Sequence, residues 1–256
     1  MTVSIIVPSY KAEQWIDQCL DSIKAQTYRG IETIVINDKQ GIGAAAARNR
    51  GLDKVSGEFV TFCDADDYME PEAIEKMVAA MDGVDMVCGS FRKFGTFEMV
   101  VSHPTEKLTI KQVASYAMQN LLQPMTHQML SGCWAKMYRR SLVERFPLIT
   151  TAEDMGFNFD YLTRCKSLRF VSDVVYHNRK RQGSLSTTFE EKNKNGLFGF
   201  LRGLAFVRRF MEKHYTREEL EMALDGSKIY HSMLYFMRIC EQQQKPMREV
   251  LKSLYQ

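Results

Sequence analysis

The stretch Phe59-Val60-Thr61-Phe62-Cys63 runs directly into Asp64-Ala65-Asp66-Asp67. A short, continuous apolar run predicts a strand that is buried on both faces, and ligands of open α/β sheets bind at the carboxyl ends of such strands. Three carboxylates at that end repel one another unless a cation or solvent lies between them. Mg²⁺ prefers oxygen ligands together with substrate phosphates. The stretch therefore predicts either a metal–phosphate site or an acidic turn that caps the following helix.

Length and composition indicate an ordinary globular protein. The 256 residues, of which 45% are apolar and 25% charged, suffice for one full domain, or for one domain with an appendage. The net charge of +3 is too small to suggest nucleic acid as a partner. We expect no signal peptide and no membrane span, because no apolar run is long enough. The six scattered cysteines predict a reduced, cytoplasmic protein without structural zinc.

The first ninety residues alternate strand and helix patterns, which predicts parallel βαβ units. The predicted strands are 3–7, 31–36, 59–63 and 85–88, and the predicted helices are 12–26, 44–55 and 71–81. Further on we expect β structure at 91–101, 134–138 and 168–176, and helices at 110–122, 141–146, 154–165 and from about 190 onward. The expected fold is α/β with a mostly parallel central sheet and a helical C-terminal region.

One competing motif is Gly41-Ile42-Gly43-Ala44-Ala45-Ala46, which matches the G-x-G-x-x-A fingerprint of dinucleotide-binding proteins. The fingerprint belongs in the first βα turn, but that turn here is Pro8-Ser9-Tyr10-Lys11, which contains no glycine. One carboxylate also suffices for a ribose, whereas this chain supplies three. A dinucleotide-binding dehydrogenase is therefore the weaker interpretation.

Eight segments, in order, resemble the signatures of the family 2 glycosyltransferases, inverting enzymes of the GT-A fold. Phe62–Tyr68 resembles "FLDSDDY" and Glu153–Asn158 resembles "EDxxFN". The other segments are Val3–Tyr10, Cys19–Tyr28, Ile34–Asp38, Gly43–Gly51, Trp134–Leu142 and Tyr176–Ser186. The likeness implies a GT-A domain at 1–188, with a nucleotide-binding half at 1–90 and an acceptor-binding half at 91–188. Residues 189–256 form a helical appendage in this prediction.

The resemblance implies a nucleotide-sugar donor, most simply a UDP-sugar, and a set of residues that bind it. The residues expected around the nucleoside are Pro8, Tyr10, Glu13 and Asp38. Arg48 suits the diphosphate because a guanidinium offers a planar fork of donors. Arg179 and Arg181, with His177, form a basic cluster that could close over the same diphosphate.

Asp64 and Asp66 become the D-x-D motif of the family. Asp66 is expected to hold Mn²⁺ or Mg²⁺ on the diphosphate, and Asp64 to face the ribose or the metal. The metal offsets the charge that develops on the departing nucleoside diphosphate. Asp67 is expected to cap or brace this turn.

Asp154 is the candidate general base, because inverting transfer needs a carboxylate that deprotonates the acceptor hydroxyl. The alternative for Glu153-Asp154 is an acidic first turn that complements the helix dipole. Glu153 and Trp134 are expected on the acceptor side, although Trp134 could equally be a core residue.

Two departures from the family pattern concern the nucleoside pocket. Only Lys39 to Ile42 separate Asp38 from Gly43, where the family usually inserts a further helix and strand, and Asn37 replaces the first acid of a usual "DD". We expect a narrower sheet and a pocket with one open wall.

The tail at 197–214 interleaves apolar and basic residues. Such a helix predicts either a peripheral contact with the inner face of a membrane or a helix packed on the catalytic domain or in a dimer.

The resemblance as a whole implies a metal-dependent, inverting glycosyltransferase of the bacterial surface-polysaccharide type. It would transfer a hexosyl group to a hydroxyl of a glycan or lipid-linked glycan. Two alternatives stay open: a GT-A-like nucleotidyltransferase and a non-catalytic protein that binds sugar nucleotides.

Overall fold

The computed structural model describes residues 1–122, 132–149, 151–180, 194–244 and 246. Its strands are β1 (Val3–Ser9), β2 (Ile31–Asn37), β3 (Phe59–Phe62), β4 (Tyr68–Met69), β5 (Met86–Gly95), β6 (Met99–Val101), β7 (Glu106–Thr109), β8 (Lys136–Arg139) and β9 (Ser167–Lys180). Its helices are α1 (Ile16–Lys24), α2 (Ala44–Leu52), α3 (Ala73–Ala80), α4 (Ile110–Leu122), α5 (Glu153–Leu162), α6 (Lys194–Met211) and α7 (Arg217–Gln243).

The described strands form one mixed sheet in the order β2-β1-β3-β8-β5-β9-β4, with β6 added to β5 and β7 to β9. β2, β1 and β3 run parallel, and so do β5 and β9. β8 lies antiparallel between β3 and β5. The α/β layout was predicted correctly, but the sheet is parallel only in part. A strand from the second half of the chain enters its middle, which local patterns do not reveal.

The parallel edge of the sheet sets the position of α2. Val3, Ile5, Ile6 and Val7 of β1 have no exposed surface, because β1 is covered on both faces. α2 lies directly on β1 at Gly51, where a Cβ atom would come within 2.5 Å of Ile6 Cγ2. Arg48, one turn earlier in α2, reaches Asp64 at the carboxyl end of β3, and both Arg48 and Asn49 are buried.

The helix expected at 141–146 is wrong. Only a 3₁₀ turn forms, at Arg140–Leu142. Asn49 holds the backbone of Phe146 from both sides, since its amide nitrogen donates to Phe146 O at 3.0 Å and its oxygen accepts from Phe146 N–H at 2.7 Å. Phe146 also precedes Pro147, and a residue before proline disfavours the helical conformation.

The C-terminal helices share the hydrophobic core of the sheet domain. Leu204, Val207 and Phe210 of α6 are buried in one cluster with Phe157 and Phe159 of α5. The apolar stripe at 197–214 therefore faces α5, as expected for a helix packed on the catalytic domain. Within the described residues, no helix combines the length and apolar character that crossing a membrane requires.

A single side chain, Asp38, stabilises the short segment between β2 and α2. The Asp38 carboxylate accepts the backbone N–H groups of Ile42 at 3.0 Å and of Gln40 and Gly43 at 3.3 Å. Gly43 precedes α2. The carboxylate therefore occupies the amide groups that a dinucleotide fingerprint would offer to a pyrophosphate, which counts against the dehydrogenase interpretation.

Candidate active site

Three segments that are distant in sequence bring five carboxylates and one arginine together. Asp64, Asp66 and Asp67 follow β3, while Glu153 and Asp154 begin α5. Arg48, on α2, stands between the two groups. Ala152, directly before Glu153, adopts the left-handed conformation with φ 61°. Such a conformation costs a non-glycine residue about 1–2 kcal/mol, and it turns the chain sharply into the helix.

Arg48 binds three carboxylates at once. Its Nη2 lies 2.8 Å from Asp64 Oδ1, and its Nη1 lies 2.9 Å from Asp154 Oδ1 and 3.2 Å from Glu153 Oε1. The arginine is 4% exposed. Burial alone would lower the pKa of its guanidinium, but the neighbouring carboxylates raise that pKa well above its usual value. Arg48 therefore remains charged and links the candidate metal motif to the candidate base.

The two acids in the first turn of α5, Glu153 and Asp154, both have pKa values above those of free carboxyl groups. Burial raises the pKa of Asp154; Arg48 opposes this shift and Asp64 adds to it. Burial and Asp154 raise the pKa of Glu153 to about 7, again against Arg48. The neighbouring buried Cys133 thiol acts in the opposite direction and lowers the pKa of Asp154. A raised pKa suits a general base, because proton transfer is most effective when the pKa lies near the working pH.

Asp67 braces the acidic turn, as expected. It is 1% exposed and accepts hydrogen bonds from Tyr176 Oη at 2.7 Å, Asn178 Nδ2 at 2.9 Å and the backbone N–H of Arg179 at 2.6 Å. Burial, followed by the charges of Asp64 and Asp66, raises the pKa of Asp67 to about 8. The residue therefore ties the turn after β3 to β9.

The predicted nucleoside residues lie at the carboxyl ends of β1 and β2. Tyr10 is 49% exposed, with its ring against Gly41, and Glu13 is exposed as well. Pro8 lies in β1 and is half-buried. Burial would raise the pKa of Asp38, but its hydrogen bonds from backbone N–H groups lower it, so it stays ionised. Recognition of a nucleobase by these residues stays a prediction. Asp38 also stabilises the segment before α2 by accepting its backbone N–H groups.

Arg179 lies beside the D-x-D motif. Its Nε donates to the backbone oxygen of Asp66 at 2.9 Å, and its guanidinium stacks over Phe94 at 4.6 Å. The neighbouring His177 instead pairs with Glu70, 2.5 Å from Nε2 to Oε1, and stacks on Tyr68. Arg181 lies outside the described residues. The structure thus brings Arg179 to the acidic turn, whereas Arg48 binds carboxylates.

Trp134 is placed chiefly as a core residue. Its ring is 8% exposed and stacks on Tyr176 with 5.2 Å between ring centroids. The edge of Phe91 closes it from another side. A contact between Trp134 and an acceptor sugar stays a prediction.

A divalent cation bound here would need substrate phosphates to complete its coordination shell. The described residues contain no group of three histidine, cysteine or acidic side chains placed to hold a metal. Mg²⁺ sites commonly use one or two carboxylates together with substrate phosphates. Asp66 and Asp64 fit that kind of site, since both are half-buried acids on one turn and Arg48 engages Asp64 through Oδ1.

Two residues that shape this site could not be identified from the sequence. Cys133 contacts Asp154, and the Tyr176 hydroxyl contacts both Asp64 and Asp67. Tyr176 stood in a recognised segment, "YxYR", but only the structure shows that its hydroxyl faces the acidic turn.

Known proteins match both the sequence and the fold. The model of "Glycosyl transferase family 2" matches residues 4–42 and 39–146. The two matched segments overlap at 39–42, the short segment between Asp38 and Gly43. GlyA of Streptococcus pneumoniae, a glycosyltransferase, is 29% identical over 87% of this chain and 38% of that protein. EpsH of Bacillus subtilis is 27% identical over 91% of this chain and 75% of that protein.

Two solved structures show the fold. The TarS 1–349 chain from S. aureus, in complex with UDP-GlcNAc, has a TM-score of 0.67 and 20% identity, over 88% of this chain and 70% of that one. Glucosyl-3-phosphoglycerate synthase from Mycobacterium tuberculosis, with Mn²⁺, UDP and phosphoglyceric acid, has a TM-score of 0.54 and 17% identity, over 82% of this chain and 78% of the other. These matches confirm the expected α/β, GT-A-like fold. Since the family model covers more than half of its residues, the chain belongs to glycosyl transferase family 2.

Proposed function

We propose that this glycosyltransferase is metal-dependent and inverting, and that it moves a hexosyl group from a UDP-sugar to a hydroxyl of a glycan or lipid-linked glycan. The observation that carries the proposal is the bridge from Asp64 through Arg48 to Asp154. Arg48 contacts both Asp64 and Asp154, and this shared contact supports the assignment of a diphosphate site and a base to the two sides of one pocket. UDP-containing structures of TarS and of the mycobacterial synthase support the choice of donor.

The chemistry assigns a separate task to each half of the site. Asp154 takes the proton of the acceptor hydroxyl as its oxygen attacks the anomeric carbon from the side opposite the nucleoside diphosphate. Arg48 fixes the orientation of Asp154. A divalent cation at Asp66 and Asp64, when bound, would neutralise charge on the leaving diphosphate. Arg179, beside Asp66, would donate hydrogen bonds to the same diphosphate.

The test compares Asp154→Asn and Asp66→Ala with Asp160→Asn, all assayed with Mn²⁺ and a panel of UDP-sugars and acceptors. Asp160 is a matched control because it also lies on α5 and also pairs with arginines, namely Arg164 and Arg209. We expect Asp154→Asn to lose about 10²–10⁴-fold in transfer but to keep UDP binding. Asp66→Ala should lose Mn²⁺-dependent UDP binding, and Asp160→Asn should transfer normally.

Other outcomes would replace the proposal. Transfer that survives Asp154→Asn excludes Asp154 as the base. Retention of the anomeric configuration in the product would contradict an inverting reaction. Release of pyrophosphate from a nucleoside triphosphate and a sugar phosphate would identify a nucleotidyltransferase, and donor binding without turnover across the panel would identify a non-catalytic binding protein.

The proposal includes a cytoplasmic location, with a role in surface-polysaccharide synthesis and a peripheral contact with the membrane through 197–214. Phe198 is 63% exposed and Arg202, Arg209 and Lys213 are exposed, which supports the contact although the apolar stripe itself packs inward. Co-sedimentation with anionic liposomes at low salt should weaken in Phe198→Ser and persist in Phe97→Ser, since Phe97 is also exposed. If the unmodified protein does not co-sediment, the contact is abandoned.

A further inference from the structure

The Tyr176 hydroxyl joins the two ends of the acidic turn. It accepts a hydrogen bond from the backbone N–H of Asp64 at 3.0 Å and donates one to Asp67 Oδ2 at 2.7 Å. Within the turn, the backbone N–H of Asp67 donates to Asp64 O at 3.0 Å. The hydroxyl therefore closes a ring of hydrogen bonds around Ala65 and Asp66.

Tyr176 is itself held on a rigid part of the sheet. It lies in β9, which pairs with β5 along most of its length and with β4 at Tyr68 and Met69. Its ring has no exposed surface and stacks on Trp134, with 9° between the ring planes. Because neither ring can turn without disturbing the core, the hydroxyl is a fixed reference point for the turn.

The same connection reaches Arg179. The Asp67 carboxylate accepts the backbone N–H of Arg179 through Oδ1 while Tyr176 and Asn178 hold Oδ2. The Arg179 side chain then returns to the backbone oxygen of Asp66. Loss of the Tyr176 hydroxyl would therefore loosen both Asp66 and the arginine next to it.

We propose that Tyr176 is a positioning residue that acts through Asp64 and Asp67, and that it sets the alignment of Asp66 and Arg179 on the donor diphosphate and its cation. This inference rests on the proposed function. Tyr176 acts on the donor side of the site, so its removal should weaken binding of the donor and the cation and leave the acceptor unaffected.

The chain offers a closely matched control in Tyr161. Its hydroxyl also accepts a backbone N–H, from Arg139 at 3.0 Å, and also donates to an oxygen, the backbone carbonyl of Asp85. Both tyrosine rings are fully buried. Tyr176→Phe and Tyr161→Phe each delete one buried hydroxyl with two hydrogen bonds, so they should lose similar stability.

The experiment measures UDP binding by calorimetry with and without Mn²⁺, together with the KM and kcat of transfer. We expect Tyr176→Phe to raise the Kd of UDP in Mn²⁺ and the KM of the donor about tenfold, with the acceptor KM and kcat changed less than about threefold. Tyr161→Phe should leave all four constants unchanged. Asp67→Asn provides a second variant and should shift donor binding in the same direction.

If the Kd of UDP in Mn²⁺ and the KM of the donor are the same in Tyr176→Phe and Tyr161→Phe, the positioning role is overturned. If Tyr176→Phe does not fold, Asp67→Asn decides the question: an unchanged Kd of UDP in Mn²⁺ would overturn the positioning role. If the unmodified protein binds no UDP in the presence of Mn²⁺, the proposed function itself fails, and this result is distinct from the first two.

Discussion

Arg48 Nη1 and Asp154 Oδ1 lie 2.9 Å apart although the two residues are separated by 106 positions in the chain. The arginine comes from the helix that packs on β1, and the aspartate comes from the first turn of α5. A second arm of the same guanidinium reaches Asp64. The buried Arg48 guanidinium thus connects the end of β3 to the start of α5, the two parts of the site that the proposed transfer reaction uses.

Arg48→Lys should damage both stability and activity. An ammonium group keeps the charge but lacks the planar fork, so it cannot reach Asp64 and α5 together. We expect a loss of about 1–3 kcal/mol in the free energy of unfolding, measured with urea, and a strong loss of transfer. Arg164→Lys is the control, because Arg164 also has two partners, Asp160 and the backbone oxygen of Leu142, outside this cluster. Equal effects in both variants would contradict a special role for Arg48.

Stability without metal should fall as the pH rises from about 4 to about 8. The folded pKa values of Asp67, about 8, and of Glu153, about 7, lie above the ordinary values of unfolded carboxyl groups. The folded state therefore retains protons that the unfolded chain has released, and a rise in pH favours unfolding.

Urea midpoints between pH 5 and 8 measure this effect. Asp67→Asn should flatten the slope, because the residue that replaces the acid does not titrate. Saturating Mn²⁺ should also flatten it, by stabilising the ionised carboxylates. A stability that rises steadily to pH 8 in the absence of metal would show that these two carboxyl groups are ionised in the folded protein.

Glu32 should have the opposite pH dependence. Burial would raise its pKa, but hydrogen bonds from Ser4, from the N–H and hydroxyl of Ser56 and from the N–H of Gly57 lower it to about 2. Its contribution to stability is therefore complete above the ordinary carboxyl pKa and disappears as the pH falls from about 4.5 to about 2.

Glu32→Gln should consequently cost about 1–2 kcal/mol at pH 7 and much less near pH 2.5, by urea unfolding. Glu75→Gln serves as the control, since Glu75 is exposed and accepts a hydrogen bond from the Thr27 hydroxyl at 2.6 Å. A cost for Glu32→Gln that does not depend on pH would show that the charge of Glu32 is unimportant.

Gly199→Ala and Gly226→Ala should have opposite effects, although both place a methyl group in a helix. A Cβ at Gly199 would lie 2.2 Å from Thr151 Oγ1 and 2.8 Å from Thr151 O, while a Cβ at Gly226 meets no described atom within 4 Å. We expect Gly199→Ala to destabilise the protein by about 1–3 kcal/mol and to lower transfer, because Thr151 lies two residues before Glu153.

Gly226→Ala should stabilise the protein by about 0.5–1 kcal/mol, because alanine loses less conformational entropy in a helix. Thermal unfolding and the transfer assay, performed on both variants, check the pair. If Gly199→Ala has normal stability and normal transfer, α6 does not support the start of α5.

The sequence predicted the elements that depend on local patterns and missed those that depend on distant partners. β1, β3 and α4 follow continuous apolar runs or helical spacing, and they lie where they were expected. The insertion of β8 between β3 and β5 could not be predicted, because no short segment records which strand will be its neighbour. The helix at 141–146 fails for the same reason, since Asn49, almost a hundred residues earlier, binds the Phe146 backbone.

The candidate site shows the same division. Motif order pointed to Asp64, Asp66, Arg48 and Asp154, and the structure brings Arg48, Asp64 and Asp154 into direct contact. The sequence predicted a diphosphate as the partner of Arg48. Its contacts with carboxylates could not be predicted, because those residues come from distant parts of the chain. The roles of Tyr176 and Cys133 could not be predicted, because a tyrosine or cysteine in an apolar run is typical of a hydrophobic core. Only the structure shows which partner the polar atom faces.

The close packing of α6 on α5 has a consequence for recombination of this enzyme with its relatives. Gly203 of α6 leaves no room for a side chain, because a Cβ atom there would lie 2.5 Å from Met155 Cε of α5, and a Cβ atom at Gly156 of α5 would lie 3.3 Å from Phe206 Cδ2 of α6. A chimera that joins residues 1–188 to a foreign C-terminal region would have to reproduce these contacts. The segment after 188 should therefore be exchanged together with α5, so that the two packed helices come from the same parent protein.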